Sequence, residues 1–386
     1  MARPTAYLDC NATAPVRPEV AEAVSAALRE GGNASSVHGP GRRARARIEA
    51  AREAVKALVG AARAELVFTS GGSEANALAL CGLASANRVG AVLIGATEHP
   101  SAGEAARSLG LPVAEIPVGR DGVPIAAEAV ARVEEIRAAR GRPLVALMLA
   151  NNETGVLAPV AELARAIRGA APDALIHCDA VQAAGKIPVD FAALGVDSLS
   201  LSAHKLGGPQ GVGALVLAEG VLLAARQRGG GQEKGYRAGT ENGPGIAGFG
   251  RAAELCAAEA ADGPRLAALR DRLEAHARRI ASGLEIAGAG APRLPNTSAL
   301  VFPGVKAETL VMALDLAGVA VSSGSACSSG KVRESHVLKA MGFGADAASG
   351  VRVSLGWASR EEEVDLFLEA LAGHFARRVQ LAGASA

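Results

Sequence analysis

Short apolar runs alternate with longer amphipathic stretches through the first two-thirds of the chain. Runs at 65–69, 91–96, 112–117, 144–150, 175–180, 198–203 and 212–217 are mostly apolar and only a few residues long. Between several of them lie Ala-rich amphipathic stretches at 74–86, 99–109, 126–139 and 159–169. Continuous apolar strands separated by helices predict an α/β architecture, a mainly parallel seven-stranded sheet covered by helices. No helix-like stretch separates the last two runs, so one strand there is expected to run antiparallel. A further helix opens on Arg42, Arg43, Arg45 and Arg47. These arginines read as a solvated face, with Glu49 expected to pair with Arg45 at i,i+4 spacing. After Gly245 the texture changes. A helical stretch to about Leu284, broken at Gly263-Pro264, precedes segments at 297–302, 307–316, 319–321 and 351–356 and a last helix from Arg360. The pattern predicts a large domain at 15–255 and a smaller α+β domain built from 1–14 and 256–386.

Composition narrows the function classes. The chain has 386 residues, a formal net charge of +1 and 49% hydrophobic residues. Near-neutral charge argues against nucleic acid or a membrane surface as partner. No apolar run is long enough to span a bilayer, and no basic start leads into an apolar run as in a signal peptide. Cys10, Cys81, Cys178, Cys256 and Cys327 show no paired spacing, so neither a disulfide framework nor a metal site is indicated. Their scatter fits a reducing cytoplasm, and Cys81 and Cys178 read as buried small hydrophobes.

Candidate chemistry falls just past the ends of the predicted strands, where open parallel sheets bind ligands. The 65–69 run leads into Ser70-Gly71-Gly72-Ser73, a glycine-rich helix start whose free N–H groups suit a phosphate. The next leads to His99, which can stack on a ring or move protons. Another leads to Asn151 and Asn152, two amides suited to a phenolic oxygen or a carboxylate. Asp179 ends an apolar strand, where a cationic ring nitrogen would offset the cost of a buried carboxylate. Gln182 follows one turn later. Ser202-Ala203-His204-Lys205 follows the next run and places an amine beside Gly207-Gly208. A lysine for a Schiff base and a carboxylate for a pyridinium are what pyridoxal phosphate (PLP) chemistry needs from a protein. Lys205 would hold the aldehyde and then take the substrate's Cα proton. Cys327 lies in a Gly/Ser-rich stretch, 322–330, that reads as an exposed mobile loop and so as a reactive thiol. Arg352, in a predicted strand, offers a planar fork for a carboxylate.

These residues resemble a known family. Tyr7-Leu8-Asp9, Glu98-His99-Pro100, 150–155, Asp179-Ala180-Val181-Gln182, Ser202-Ala203-His204-Lys205, 237–242 and 322–327 are similar to the cysteine desulfurases of the NifS/IscS group, most of all its NifS-like branch. These are class-V aminotransferase-family enzymes of PLP fold type I, and the resemblance spans nearly the whole chain. It implies a homodimer that removes sulfur from L-cysteine, releases L-alanine and carries a persulfide on Cys327 for an acceptor such as an Fe–S scaffold. By position, it implies Lys205 as Schiff base, Asp179 at the ring nitrogen, Gln182 at the ring hydroxyl and His99 stacked on the ring. It implies Gly72, Ser73, Ser202 and His204 at the phosphate, with Thr240 reaching the phosphate of a neighbouring subunit. Asn152, Arg352 and Asn33 would position substrate, and Cys327 could serve as a passing Fe–S ligand shared with a partner. The chain departs from the family's Leu-Glu-Pro-Ser-His type run at Lys331-Val332-Arg333-Glu334-Ser335-His336, which bears on loop stiffness and docking. Ala14 and Ala34 replace a common Thr and Pro, and the chain ends soon after its last helix. A selenocysteine lyase or another class-V PLP aminotransferase would share most of these residues. A non-catalytic sulfur-binding scaffold would not need Lys205, Asp179 and His99 together.

Overall fold

The computed structural model of the chain describes residues 5–258, 262–323 and 334–384. Cys327 lies outside the described residues. In chain order the elements are β1 (Ala6–Tyr7), α1 (Pro18–Glu30), α2 (Gly39–Leu58), β2 (Glu65–Thr69), α3 (Gly72–Asn87), β3 (Ala91–Gly95), α4 (Pro100–Arg107), β4 (Val113–Ile116), α5 (Ala126–Arg140), β5 (Pro143–Met148), α6 (Val160–Ala170) and β6 (Leu175–Asp179). There follow α7 (Phe191–Leu194), β7 (Ser198–Ser202), β8 (Gly213–Leu217), α8 (Gly243–Ala258), α9 (Gly263–Ile280), β9 (Glu285–Ile286), β10 (Thr297–Val301), α10 (Ala307–Leu316), β11 (Val319–Ala320), α11 (His336–Ala340), β12 (Gly350–Ser354) and α12 (Glu361–Ala384). Among the described residues no helix is long and apolar enough to cross a membrane.

Seven strands form one sheet in the order β2-β8-β7-β6-β5-β3-β4. Strands β3 to β7 run parallel, and β8 runs antiparallel to both neighbours. That places the reversed strand where the missing crossover helix predicts it. The apolar runs are continuous because both faces are covered. In β5, Val145 and Leu147 pack into one core with α5 and α6, while Leu144 and Ala146 pack into another with α3 and α4. Leu144 and Val145 are fully buried, and burying each such side chain contributes about 1.5–3 kcal/mol. Helix α6 shows the matching logic: Val160, Leu163, Ala164 and Ile167 recur at helical spacing and are all buried. Gly213 is required where β8 begins. A Cβ there would stand 2.6 Å from the backbone of Gly71.

A second core gathers Leu8, Leu273, Leu300, Phe302, Leu314 and Phe367. It is built on the antiparallel β12-β10-β9 sheet and the short parallel pair β1-β11, so the first residues join it. One expected pairing is corrected. Glu49 pairs with Arg52 at i,i+3 (3.1 Å), not with Arg45, and the same guanidinium meets Glu233 with bonds of 2.8 and 3.0 Å. Arg42, Arg43 and Arg45 are exposed, so the solvated face holds for them.

Candidate active site

Strands β2, β3, β5, β6 and β7 all end at the same edge of the sheet, because β2 runs parallel to them across the reversed β8. Their last residues deliver Gly72-Ser73, His99, Asn152, Asp179 and Ser202–Lys205 to one edge. Apart from Gly72-Ser73 and the β7 exit, no two of these residues are neighbours in sequence; the sheet order brings them together.

Lys205 sits in a short 3-10 turn after β7. Its Nζ donates to the carbonyls of Asn11 (2.7 Å) and Ala12 (2.9 Å). Burial, reinforced by the Arg352 cation and opposed by Asp9 and Asp179, pushes the amine down to about 8. Asn11 is nearly fully buried, and every polar atom it has is engaged. Its N–H donates to Ser354 Oγ and its Nδ2 to Thr297 Oγ1 and the Asn152 carbonyl. Its carbonyl also accepts from Gln182 Nε2, and its Oδ1 accepts from Lys186 Nζ and Asn296 Nδ2. Lys186 Nζ donates as well to Gln182 Oε1 at 2.5 Å, which leaves the Gln182 amide nitrogen as the donor end. Burial, with Lys205 and Arg352 nearby, pushes Lys186 to about 7. Sequence reasoning missed Asn11 and Lys186; their polarity gives no hint of burial.

Asp179 is 4% exposed. Its Oδ1 accepts from the Val181 N–H at 3.0 Å and its Oδ2 from Asn76 Nδ2 at 2.7 Å. A donor on each oxygen fixes the orientation of the carboxyl group. His99 is the N-cap of α4, accepting from the Ser101 N–H at 3.1 Å through Nδ1. That commits Nδ1 as an acceptor and puts the proton of the neutral ring on Nε2. Burial lowers the His99 pKa, with Asp179 opposing and Lys205 and His336 assisting. Beside it, Glu98 is buried and its Oε1 accepts from the Met148 N–H at 2.6 Å. Burial and the nearby Asp179 hold this carboxyl well above the usual range.

The phosphate-suited residues also converge. Gly72 opens α3 with Ser73 behind it, and a Cβ at Gly72 would stand 2.8 Å from Val181 Cγ2. Ser202 Oγ is buried and has no hydrogen-bond partner among the described residues, an unmet donor where an anion would sit. His204 Nδ1 lies 3.0 Å from Thr13 Oγ1, whose own proton goes to the Ala12 carbonyl. His204 therefore donates through Nδ1, and burial beside Lys205 and Lys186 pushes it to about 4. A phosphate at its Nε2 would have to share a proton with the ring. Thr240 lines a cleft with Thr69, Ser70 and Glu233.

Arg352 is buried, not a surface residue of its strand. It donates to Asp9 Oδ1 (2.7 Å) and the Asn152 carbonyl (3.2 Å), while its buried Nε has no partner among the described residues. The Asn151 side chain is spent on its own turn, bonding the Thr97 carbonyl and the N–H groups of Glu153 and Thr154. Asn152 alone remains of that pair. Asn33 is exposed between α1 and α2 and accepts from the Ser35 N–H. None of its described contacts joins the Lys205 group. The residues flanking the Cys327 stretch are fixed beside the site. Ser322 exchanges backbone bonds with Arg352 on one side. On the other, Ser335 Oγ donates to Glu153 Oε2 (2.5 Å) and His336 Nε2 donates to the Glu98 carbonyl (3.0 Å).

The unmet Ser202 hydroxyl, the Gly72 start of α3 and the doubly bonded Asp179 anion fit PLP. Comparison with known proteins agrees. The model of the class-V aminotransferase family matches residues 6–367. A protein named cysteine desulfurase from Cereibacter sphaeroides is 44% identical over 375 residues, covering 95% of this chain and 94% of that one. An IscS-like cysteine desulfurase of Mycobacterium tuberculosis is 39% identical, with 99% of each chain covered. The solved NifS-like protein of Rickettsia africae superposes with a TM-score of 0.87 at 32% identity, covering 96% of this chain and 99% of that one. A lysine, an acid and a histidine on one sheet edge, within a match of this length, leave one conclusion: the chain belongs to the class-V aminotransferase family, in its cysteine desulfurase group.

Proposed function

We infer that this protein is a cysteine desulfurase that takes the sulfur of L-cysteine, releases L-alanine and holds the sulfur as a persulfide on Cys327. The observation that carries the reading is the gathering of Lys205, Asp179 and His99 at one edge of the main sheet, with Arg352 of β12 near Lys205 and Ser322 and Ser335 beside the site. PLP, when bound, supplies a covalent hold on the substrate amine and an electron sink for its Cα. Asp179 holds the ring nitrogen as an anion, Gln182 donates to the ring hydroxyl and His99 stacks on the ring. Gly72, Ser73, Ser202 and His204 hold the phosphate, and Thr240 serves that of a second subunit. Lys205 Nζ, uncharged in a useful fraction near neutral pH, binds the cofactor and moves the proton at the substrate Cα. The Arg352 guanidinium takes the substrate carboxylate, with Asn152 beside it and Asn33 as a further contact. The Cys327 thiolate would bond to the substrate sulfur as the Cβ–S bond breaks; the electron pair of that bond stays with the carbon fragment, which is protonated at Cβ to give alanine, so no outside oxidant is needed.

Residues 15–255 form the cofactor-binding unit, and 1–14 with 256–386 form the unit that carries Cys327. The enzyme works as a homodimer and passes sulfur to an acceptor such as an Fe–S scaffold. The described cysteines are all free and buried, which fits a reducing cytoplasm. The deciding experiment follows alanine and protein-bound persulfide from L-cysteine in the wild type and in Cys327→Ala. Loss of both in the variant, with the visible band of lysine-bound cofactor intact, supports the reading. Wild-type rates in the variant would sink it.

A further inference from the structure

A closed chain of directional bonds lies behind the two cofactor-facing groups, and its centre is a residue with no role in the reading above. Asn76 is on the buried face of α3, 1% exposed. Its Nδ2 donates to Asp179 Oδ2 at 2.7 Å and to Ser101 Oγ at 2.9 Å. Its Oδ1 lies 3.0 Å from His177 Nε2, and His177 Nδ1 lies 2.8 Å from Ser198 Oγ. Ser101 Oγ in turn lies 2.7 Å from His99 Nδ1.

The direction of every bond follows from one fact. An ionised carboxylate can only accept, so the nitrogen end of the Asn76 amide must face Asp179. The oxygen end then faces His177, which must donate through Nε2–H. His177 Nδ1 is left to accept the Ser198 hydroxyl proton. On the other branch, Ser101 Oγ receives the second amide proton and sends its own to His99 Nδ1. His177 and Ser198 are fully buried, so no water competes for these partners, and a buried network satisfied at every member is rigid. Burial drives His177 down to about 4 despite the nearby Asp179, which keeps its ring neutral, as the bond directions require.

We propose that Asn76 is a positioning residue that locks the Asp179 carboxylate and, through Ser101, the His99 ring into one rigid unit, with His177 and Ser198 fixing the Asn76 amide from behind. This rests on the reading that Asp179 and His99 face the cofactor. Only an amide does the work. It is the one uncharged side chain that can donate twice from one end while accepting at the other.

Two measurements on the full chain test it. First, imidazole ¹⁵N resonances of the cofactor-free wild type should show His99 and His177 both neutral with the proton on Nε2. A proton on Nδ1 of either ring would overturn the proposal, and this result needs no variant to fold. Second, PLP affinity is titrated in Asn76→Asp and Ser101→Ala. The isosteric Asn76→Asp sets an acceptor against Asp179, so its PLP dissociation constant should rise about tenfold, and His177 should become doubly protonated at neutral pH. Ser101→Ala cuts only the His99 branch, so its affinity should stay within about twofold of wild type while the His99 Nδ1 resonance moves. Wild-type affinity in Asn76→Asp would overturn the clamp alone. Wild-type protein that leaves Lys205 unmodified by PLP would overturn the reading of the site beneath it.

Discussion

Replacing Lys205 with methionine should flatten the pH dependence of stability in the cofactor-free protein. The native amine is held at about 8, against 10.5 for an ordinary lysine. At pH 7 roughly one amine in ten is uncharged, against about three in ten thousand without the shift. The same shift has a thermodynamic face. The native state gives up this proton before the unfolded chain does, so between about pH 8 and 10.5 the unfolded chain binds more protons, and stability rises with pH. The whole rise is roughly 3 kcal/mol, and at about pH 9 its slope is close to 1 kcal/mol per pH unit. Lys186, held near 7 by burial and by Lys205, adds a rise that the variant largely keeps. Urea unfolding from about pH 7 to about pH 10 gives both curves by linear extrapolation. The Lys205→Met slope should be smaller by about 1 kcal/mol per pH unit near pH 9. Parallel curves would show that the amine is not depressed, and the account of its reactivity would fall with it.

Other perturbations reach different parts of the molecule. Arg352→Lys keeps the charge but loses the planar fork, so KM for L-cysteine should rise at least about tenfold with a smaller change in kcat; an unchanged KM in the alanine assay would free Arg352 from substrate. Arg52→Met strands Glu233, whose side chain is only 3% exposed, so thermal unfolding should show a loss of about 3–5 kcal/mol. Gly213→Ala forces a Cβ to within 2.6 Å of Gly71 backbone, and calorimetry should read a destabilisation of about 1–3 kcal/mol; a neutral result would mean that the β2-β8 junction yields freely.

The sheet was legible because its signal is local. Runs such as 144–150 are apolar at every position only when both faces are covered, and the lack of a helix before 212–217 marks the reversed strand. Lys205 and His99 stand out because each follows such a run, and Asp179 because it ends one. The groups behind them do not. Asn76 is one polar residue in an Ala-rich helix, and His177 is one in an apolar strand. Only the packing of α3 over β6 sets them 3.0 Å apart. The bonding of Arg52 is hidden for a related reason: helical spacing scores only neighbours along a helix, while its bidentate partner, Glu233, comes from 181 residues away.

Asn11 has a consequence for how the molecule comes apart. Its bonds run to Ser354, Thr297 and Asn296 in one core region and to Asn152, Gln182, Lys186 and Lys205 in the other. A protease that clipped the leading segment would remove no strand of the main sheet, yet it would strip the Lys205 amine of both its carbonyl acceptors and leave the buried Lys186 amine with Gln182 alone. The amino-terminal end is thus the keystone of the cleft, and damage there should silence the enzyme long before it unfolds.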